Sequence, residues 1–198
     1  MASRGKYLLW TLLCAPALLF VHRYATSDIW AGDLLHPTGE MSARLIIFAL
    51  MLTPLSLLFK GQGWIRWLLA QRRAIGVAAF GYALLHLIFY VLDMEALDNI
   101  LAEVFALGIW TGWAAFLILL PLALTSNQAS MRVLKAGWKK LQRLAYPAAL
   151  FTLAHWMFIH DDMQAALLNF APLAALQLYR LVHISRARSW QGHRSATT

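Results

Sequence analysis

Two histidines deep within apolar stretches are the residues of this chain best placed to do chemistry. His86 lies 13 residues after Arg73, and His155 lies 12 residues after Arg143. At the rise of an α-helix, each lies about 18–20 Å from the basic end of its stretch. An ionisable side chain is costly at that depth in a membrane, so its presence there indicates a functional site.

Two histidines at one depth on two helices of the same direction can clamp a planar metal macrocycle from opposite faces. Haem with two axial imidazoles fits such a site, and its closed coordination favours electron transfer. The alternative is that each histidine makes a structural hydrogen bond between helices. A zinc pair or a proton relay is less favoured, because the predicted spans contain no carboxylate.

The composition is that of a membrane protein. Of the 198 residues, 61% are hydrophobic and 13% are charged, and the net charge is +8. A soluble protein of this size could not bury so much apolar surface. The basic residues flank apolar runs, which fits a topology signal better than a nucleic-acid surface. Cys14 is the single cysteine, which excludes disulfides, CxxC zinc sites and covalent haem attachment.

Six apolar runs predict an all-α integral membrane protein of six transmembrane helices. They cover residues 7–22, 43–59, 74–92, 104–125, 144–160 and 165–184. The first resembles a signal peptide but continues past its small residues, so we interpret it as a retained helix. Residues 94–103 are too polar to span and predict a short surface helix. No internal repeat is evident.

Charge segregates with the connections between these runs. Fifteen of the 17 basic residues fall before the first run, in the second and fourth connections, or at and beyond the inner end of the last run, and all nine acids fall in the other three connections. Six spans with both termini cytoplasmic satisfy this pattern in full. The sequence therefore predicts a transmembrane domain over residues 1–184 and a cytoplasmic tail, predicted to be mobile, over 185–198.

Arg44 is the basic residue expected to hold a haem propionate. It lies one turn into the second run, where an arginine calls for an anion. The alternative is that its side chain extends to the outer headgroups of the membrane.

Several motifs resemble a known family. The run Arg72-Arg73-x-x-Gly76…Tyr82-Ala-x-x-His86…Tyr90 resembles the third helix of the ferric-reductase-like transmembrane domain superfamily. Within it, four stretches resemble the MsrQ (YedZ) family. They are His36-Pro-Thr-Gly39, Leu52-Thr-Pro-Leu55, Leu119 to Ser126, and Trp138 to Tyr146 followed by His155.

The resemblance, which covers about residues 5–185, implies a six-helix cytochrome of the bacterial inner membrane. It would hold b-type haem through His86 and His155. Electrons would come from a cytoplasmic flavin reductase or from quinol. They would pass to MsrP, a periplasmic molybdenum enzyme that reduces methionine sulfoxide in proteins, so the substrate chemistry lies on the partner. The family is also associated with flavin, so FMN is a candidate cofactor without assigned contacts.

One position departs from the family pattern. A histidine usually precedes the second ligand by 13 residues, and here that residue is Gln142. The matching position before His86 is Arg73. Neither side chain is a good iron ligand. The sequence therefore predicts one well-held haem and disfavours an inner one.

Two other functions remain open from sequence. The chain could act alone as a membrane haem oxidoreductase on ferric chelates, quinone or superoxide. It could also be a non-redox membrane protein whose histidines are structural. A neighbouring gene for a molybdenum enzyme would distinguish the electron-transfer subunit from the stand-alone oxidoreductase. The absorption spectrum would distinguish a haem protein from a non-redox one.

Overall fold

The computed structural model describes residues 2–27, 29–160 and 163–195, and the side chains of 2–4, 160 and 187–195 are outside the description. Every regular element in this part of the chain is a helix. The elements are α1 (Ala2–Ala25), a 3-10 turn (Gly32–Leu34), α2 (Leu35–Leu58), α3 (Gly63–Met94), α4 (Leu97–Glu103), α5 (Leu107–Leu124), α6 (Gln128–Leu134), α7 (Ala136–Gln142), α8 (Ala145–His160) and α9 (Met163–Ser195).

The first half of the bundle is built on the α2–α3 hairpin, whose two helices make the most extensive contact in the chain. The turn between them passes through Gly61 at φ +84°, a backbone conformation that favours glycine. Ser42 donates to the backbone oxygen of Ala79 at 2.9 Å, so the two helices approach closely. Leu52 and Ile75 are buried in the apolar seam that follows.

The second half is built on the pairing of α5 with α8, and α9 packs against both α2 and α8. One apolar cluster, which includes Ile47, Leu50, Trp156 and Phe170, joins these helices to the α2–α3 hairpin. Such a cluster stabilises the bundle through close packing, which is the main contribution available between helices in lipid.

Helix α1 is attached to α3 by Tyr82, whose side chain reaches into the backbone of α1. The Tyr82 hydroxyl donates to the Leu13 oxygen at 2.8 Å and accepts from the Ala17 amide at 3.1 Å. This site flanks Pro16, where the helix already lacks one amide donor. The contact therefore satisfies backbone groups of α1 while it fixes the position of that helix.

Within the described ranges, five helices are long and apolar enough to cross a membrane. They are Gly5–Ala25, Gly32–Leu58, Gly63–Met94, Leu107–Leu124 and Met163–Arg186. The fifth predicted span corresponds to α8, which has 16 residues and a length of about 24 Å. The all-helical membrane class is thus confirmed, whereas the count of six spans and the orientation of the termini stay predictions.

Three boundaries differ from the sequence prediction. Helix α3 begins at Gly63 rather than near residue 74, so Arg66, Arg72 and Arg73 lie on a helix and not in a connection. Helix α2 begins at Leu35 rather than near residue 43, so His36 and Glu40 lie on a helix and not in a connection. Helix α9 continues to Ser195, through most of the predicted tail, and the mobility of that tail stays a prediction. The short helix expected within 94–103 is confirmed as α4. Asp28, Asp161 and Asp162, which support the charge pattern, lie outside the described residues.

The basic segments meet at one end of the bundle, which we call the basic end. Arg73, about three turns into α3, donates to the Met131 sulfur of α6. Arg180 of α9 donates to the Tyr146 hydroxyl of α8 at 2.7 Å. The second and fourth connections and α9 therefore share this end, as the charge pattern requires.

Replacing Tyr82 with phenylalanine tests the attachment of α1. Loss of the hydroxyl leaves groups of α1 without their partner, at a cost of about 1 kcal/mol. We expect a lower midpoint of thermal unfolding in detergent and faster proteolysis after α1. Tyr7→Phe, at an exposed position of α1, is the control. Equal midpoints for the two variants would contradict this role of Tyr82.

Candidate haem-binding site

The structure brings His86 of α3 and His155 of α8 together. Their ring centroids are 5.9 Å apart, and the ring planes are inclined at 85°. Both rings are partly buried. Because α3 and α8 belong to different halves of the bundle, the pair bridges those halves.

The His86 ring is anchored on α2. Its Nδ1 lies 2.9 Å from the backbone oxygen of Leu35 and 3.5 Å from the Thr38 hydroxyl oxygen. The Thr38 hydroxyl itself donates to the backbone oxygens of Leu34 and Leu35. A Cβ atom on Gly39 would lie 3.1 Å from the His86 Nδ1, so this position needs a very small residue.

The His155 ring is anchored on α5 in the same way. Its Nδ1 lies 2.7 Å from the backbone oxygen of Gly108. The Thr111 hydroxyl donates to that oxygen at 2.8 Å and to the Leu107 oxygen at 2.9 Å. A Cβ atom on Gly112 would lie 2.7 Å from the His155 Nδ1, which is a severe clash.

Both histidines thus sit in one repeated arrangement that the sequence interpretation missed. In each, a backbone oxygen accepts from the imidazole, a threonine follows three residues later, and a glycine follows it. An alanine with no exposed surface precedes each histidine by seven residues, Ala79 on α3 and Ala148 on α8. The available signal was the Thr-Gly dipeptide, which occurs twice in the chain, at residues 38–39 and 111–112.

This anchoring determines the chemistry of the imidazoles. A carbonyl oxygen can only accept, so Nδ1 of each ring carries the proton and the Nε2 lone pair is the one suited to a metal. A second hydrogen bond of this kind is typical of metal-bound histidine, since it orients the ring and raises its basicity. Within the described residues, no cluster of three or more His, Cys, Asp or Glu side chains could hold a metal ion.

A cavity of about 110 Å³, which we call the histidine cavity, adjoins both rings. Apolar walls come from Ala83, Leu87, Ile109 and Phe116, among others.

Two polar atoms that line the histidine cavity have no partner among the described residues. They are the Tyr90 hydroxyl and the Trp156 indole nitrogen, both buried. Buried polar groups are almost always hydrogen-bonded, so these two groups point to a ligand with acceptors. Neither was singled out as a site residue from sequence.

Arg44 lies beside the histidine cavity but does not line it. Its guanidinium pairs with Glu40 one turn earlier on α2 and lies 3.4 Å from the Asn169 side-chain oxygen. The anion that the sequence called for is thus supplied by Glu40, which lines the cavity together with His36. The role of Arg44 as a propionate partner stays a prediction.

Comparison with known proteins identifies the family. Residues 38–153 match the family described as "Ferric reductase like transmembrane component". A relative from Xanthomonas axonopodis pv. citri, named "Protein-methionine-sulfoxide reductase heme-binding subunit MsrQ", is 35% identical over 83% of this chain and 75% of its own length. A protein of the same name from Azospira oryzae is 33% identical over 79% of this chain and 69% of its own.

The chain belongs to the MsrQ family. No solved structure matches it. Gln142, which departs from the family pattern, makes a hydrogen bond inside the bundle. Its side-chain amide donates to the Leu122 backbone oxygen at 3.1 Å. For this MsrQ-family member, the side chain at the departing position is therefore engaged in packing α7 against α5.

Alanine substitution at the two glycines tests the anchoring of the rings. In an open helical position, alanine is more favourable than glycine by about 1 kcal/mol. Gly112→Ala should instead destabilise the protein, because its Cβ would meet the His155 ring. Gly39→Ala should have the same effect more weakly. We expect lower midpoints of thermal unfolding in that order.

Gly81→Ala is the matched control on α3, since a Cβ there has no neighbour within 4 Å. It should leave the midpoint unchanged or raise it. A Gly112→Ala protein as stable as Gly81→Ala would show that the close approach to His155 is not a constraint.

Proposed function

We propose that this chain is the membrane subunit that carries one b-type haem for a methionine sulfoxide reductase system. The observation that carries the proposal is the pair of imidazoles, each with Nδ1 anchored to a backbone oxygen beside one shared cavity. The names of the MsrQ relatives, which are heme-binding subunits, support the same cofactor.

The residues fit a haem. Two imidazoles whose Nδ1 atoms are anchored to backbone oxygens would hold a haem iron through Nε2, and their ring centroids lie 5.9 Å apart. Two protein ligands also suit a macrocycle that provides the remaining donors itself. The buried Tyr90 hydroxyl and Trp156 indole offer donors to the acidic groups of such a ring.

When bound, haem supplies a one-electron couple of its iron. His86 and His155 would hold the haem iron, and two imidazole ligands would favour electron transfer over the binding of small molecules. The Leu35 and Gly108 oxygens keep each ring in one tautomer and orientation. The apolar walls of the histidine cavity would lower the local polarity around such a group.

The proposed topology is six spans with both termini cytoplasmic, in the bacterial inner membrane. The apolar character of α8 and its contacts with α5 and α2 support it as the fifth span, despite its 16 residues. The gathering of basic side chains at one end supports the orientation through the positive-inside rule. Residues 185–198 would then extend from the cytoplasmic face.

The proposed direction of electron flow is from the basic end to the acidic end. A cytoplasmic flavin reductase or quinol would donate, and a periplasmic molybdenum enzyme of the MsrP kind would accept and reduce methionine sulfoxide. That partner would carry out the reduction of the sulfoxide, and this chain would bind and position the haem. FMN, which the family resemblance implies, is the second cofactor proposed for this chain.

Substitution of either histidine tests the ligand assignment. His86→Ala and His155→Ala each remove one of two axial ligands, so we expect loss of the b-type spectrum of the dithionite-reduced protein. His22→Ala, at an exposed position of α1, should keep it. A variant that retains most of its haem absorbance with normal ligation would contradict the assignment.

Reoxidation of the reduced protein tests the partner. Haem that has been reduced in the purified protein should be reoxidised rapidly by the molybdenum enzyme with methionine sulfoxide, and not by either component alone. Rapid reoxidation by a ferric chelate, quinone or superoxide without the enzyme would favour the alternative of a stand-alone oxidoreductase.

A further inference from the structure

Two buried threonines share the backbone oxygens that anchor the histidine rings. Among the described residues, three non-aromatic polar side chains are buried, and two of them are Thr38 (0% exposed) and Thr111 (3% exposed). Thr38 donates to the Leu35 oxygen of α2, and Thr111 donates to the Gly108 oxygen of α5. These are the same two oxygens that the imidazole Nδ1 atoms contact.

Three donors converge on each of these oxygens. Two are the threonine hydroxyl and the imidazole Nδ1. The third is the backbone amide four residues later in the helix, which is Gly39 for Leu35 and Gly112 for Gly108. A carbonyl oxygen has two lone pairs, so three donors compete for two acceptor positions and each weakens the bonds of the others.

The distances show that this competition is stronger at His155 than at His86. The Thr111 hydroxyl lies 2.8 Å from the shared oxygen and 2.9 Å from the other oxygen that it reaches. The Thr38 hydroxyl lies 3.1 Å from the shared oxygen and closer to its second acceptor, the Leu34 oxygen. The hydroxyl hydrogen of Thr38 is therefore directed mainly away from the oxygen that anchors its ring.

A threonine in a membrane helix often bonds back to its own helix, and such a bond alone implies no function. Thr152 on α8 is an example, since its hydroxyl donates to the Ala148 oxygen at 2.9 Å. Thr38 and Thr111 differ from it because each shares its acceptor with an imidazole. Their hydroxyls therefore act on the hydrogen bond of a proposed metal ligand.

The strength of that hydrogen bond bears on the iron. A stronger bond from Nδ1 to its acceptor makes the imidazole more basic, and a more basic ligand stabilises ferric iron relative to ferrous iron. A hydroxyl that draws on the same oxygen weakens the bond from Nδ1. It therefore raises the midpoint potential of the iron that the imidazole holds.

We propose that Thr38 and Thr111 are positioning residues that raise the midpoint potential of the haem, by competing with the imidazoles for the oxygens that anchor the rings. Thr111 has the larger effect, because its hydroxyl lies nearer to the shared oxygen. The inference rests on the proposed function, and it adds the residues that tune the haem to those that hold it.

Spectroelectrochemical titration of the purified full-length haem protein in detergent tests this proposal. Thr111→Val removes the hydroxyl and keeps the shape of the side chain, and the helical oxygens keep their backbone amides. We expect a lower midpoint potential, by about 59 mV, which is a tenfold change in the equilibrium of a one-electron couple. Thr38→Val should give a smaller shift in the same direction. Thr111→Ser, which keeps the hydroxyl, should restore the wild-type potential.

Thr152→Val is the matched comparison, because Thr152 lines the histidine cavity and its hydroxyl donates to an oxygen of its own helix. A shift as large as that of Thr111→Val would show that the potential follows local polarity, and would overturn the proposal. An unchanged or higher potential in Thr111→Val would also overturn it.

The low-spin ferric spectrum of each variant reports whether both imidazoles stay bound. Loss of haem from Thr111→Val, in place of a shifted potential, would show a structural role and overturn the tuning role. A wild-type protein without haem would refute the proposed function and this inference with it. Wild-type haem with equal potentials in all the variants would refute this inference alone.

Discussion

The structure depends on one interaction made twice, between an imidazole Nδ1 and a backbone oxygen of the neighbouring helix. Leu35 on α2 and Gly108 on α5 provide these oxygens. A helical carbonyl normally faces its own helix, so the neighbouring ring can reach it only where the helix surface is bare. Gly39 and Gly112 provide that surface one turn later. The orientation of both rings therefore follows from how closely the helices pack.

The same constraint explains the division of the bundle into two halves. Helices α2 and α3 form one half and α5 and α8 the other, and each half holds one histidine against its own partner helix. Contact between the halves brings the two rings to 5.9 Å. Leu119 lines both the histidine cavity and a second cavity at the basic end.

Much of this architecture could be predicted from hydropathy and charge. Their equal depth was sufficient to pair His86 with His155, because the depth of a residue follows from its position along a helix. The start of α2 was not predictable in this way, since His36 and Glu40 line a cavity and interrupt the apolar pattern. The pairing of Arg44 with Glu40 follows only once both are known to lie on one helix.

The anchoring of the histidines was not predicted because its acceptors are backbone atoms, for which the two Thr-Gly dipeptides are only an indirect signal in the sequence. The measurement that tests the central claim most directly is quantitative electron paramagnetic resonance of the oxidised protein. The account predicts one low-spin ferric haem per chain, with the strong anisotropy expected for axial rings inclined at 85°. A high-spin signal, two low-spin haems per chain, or no haem would contradict it.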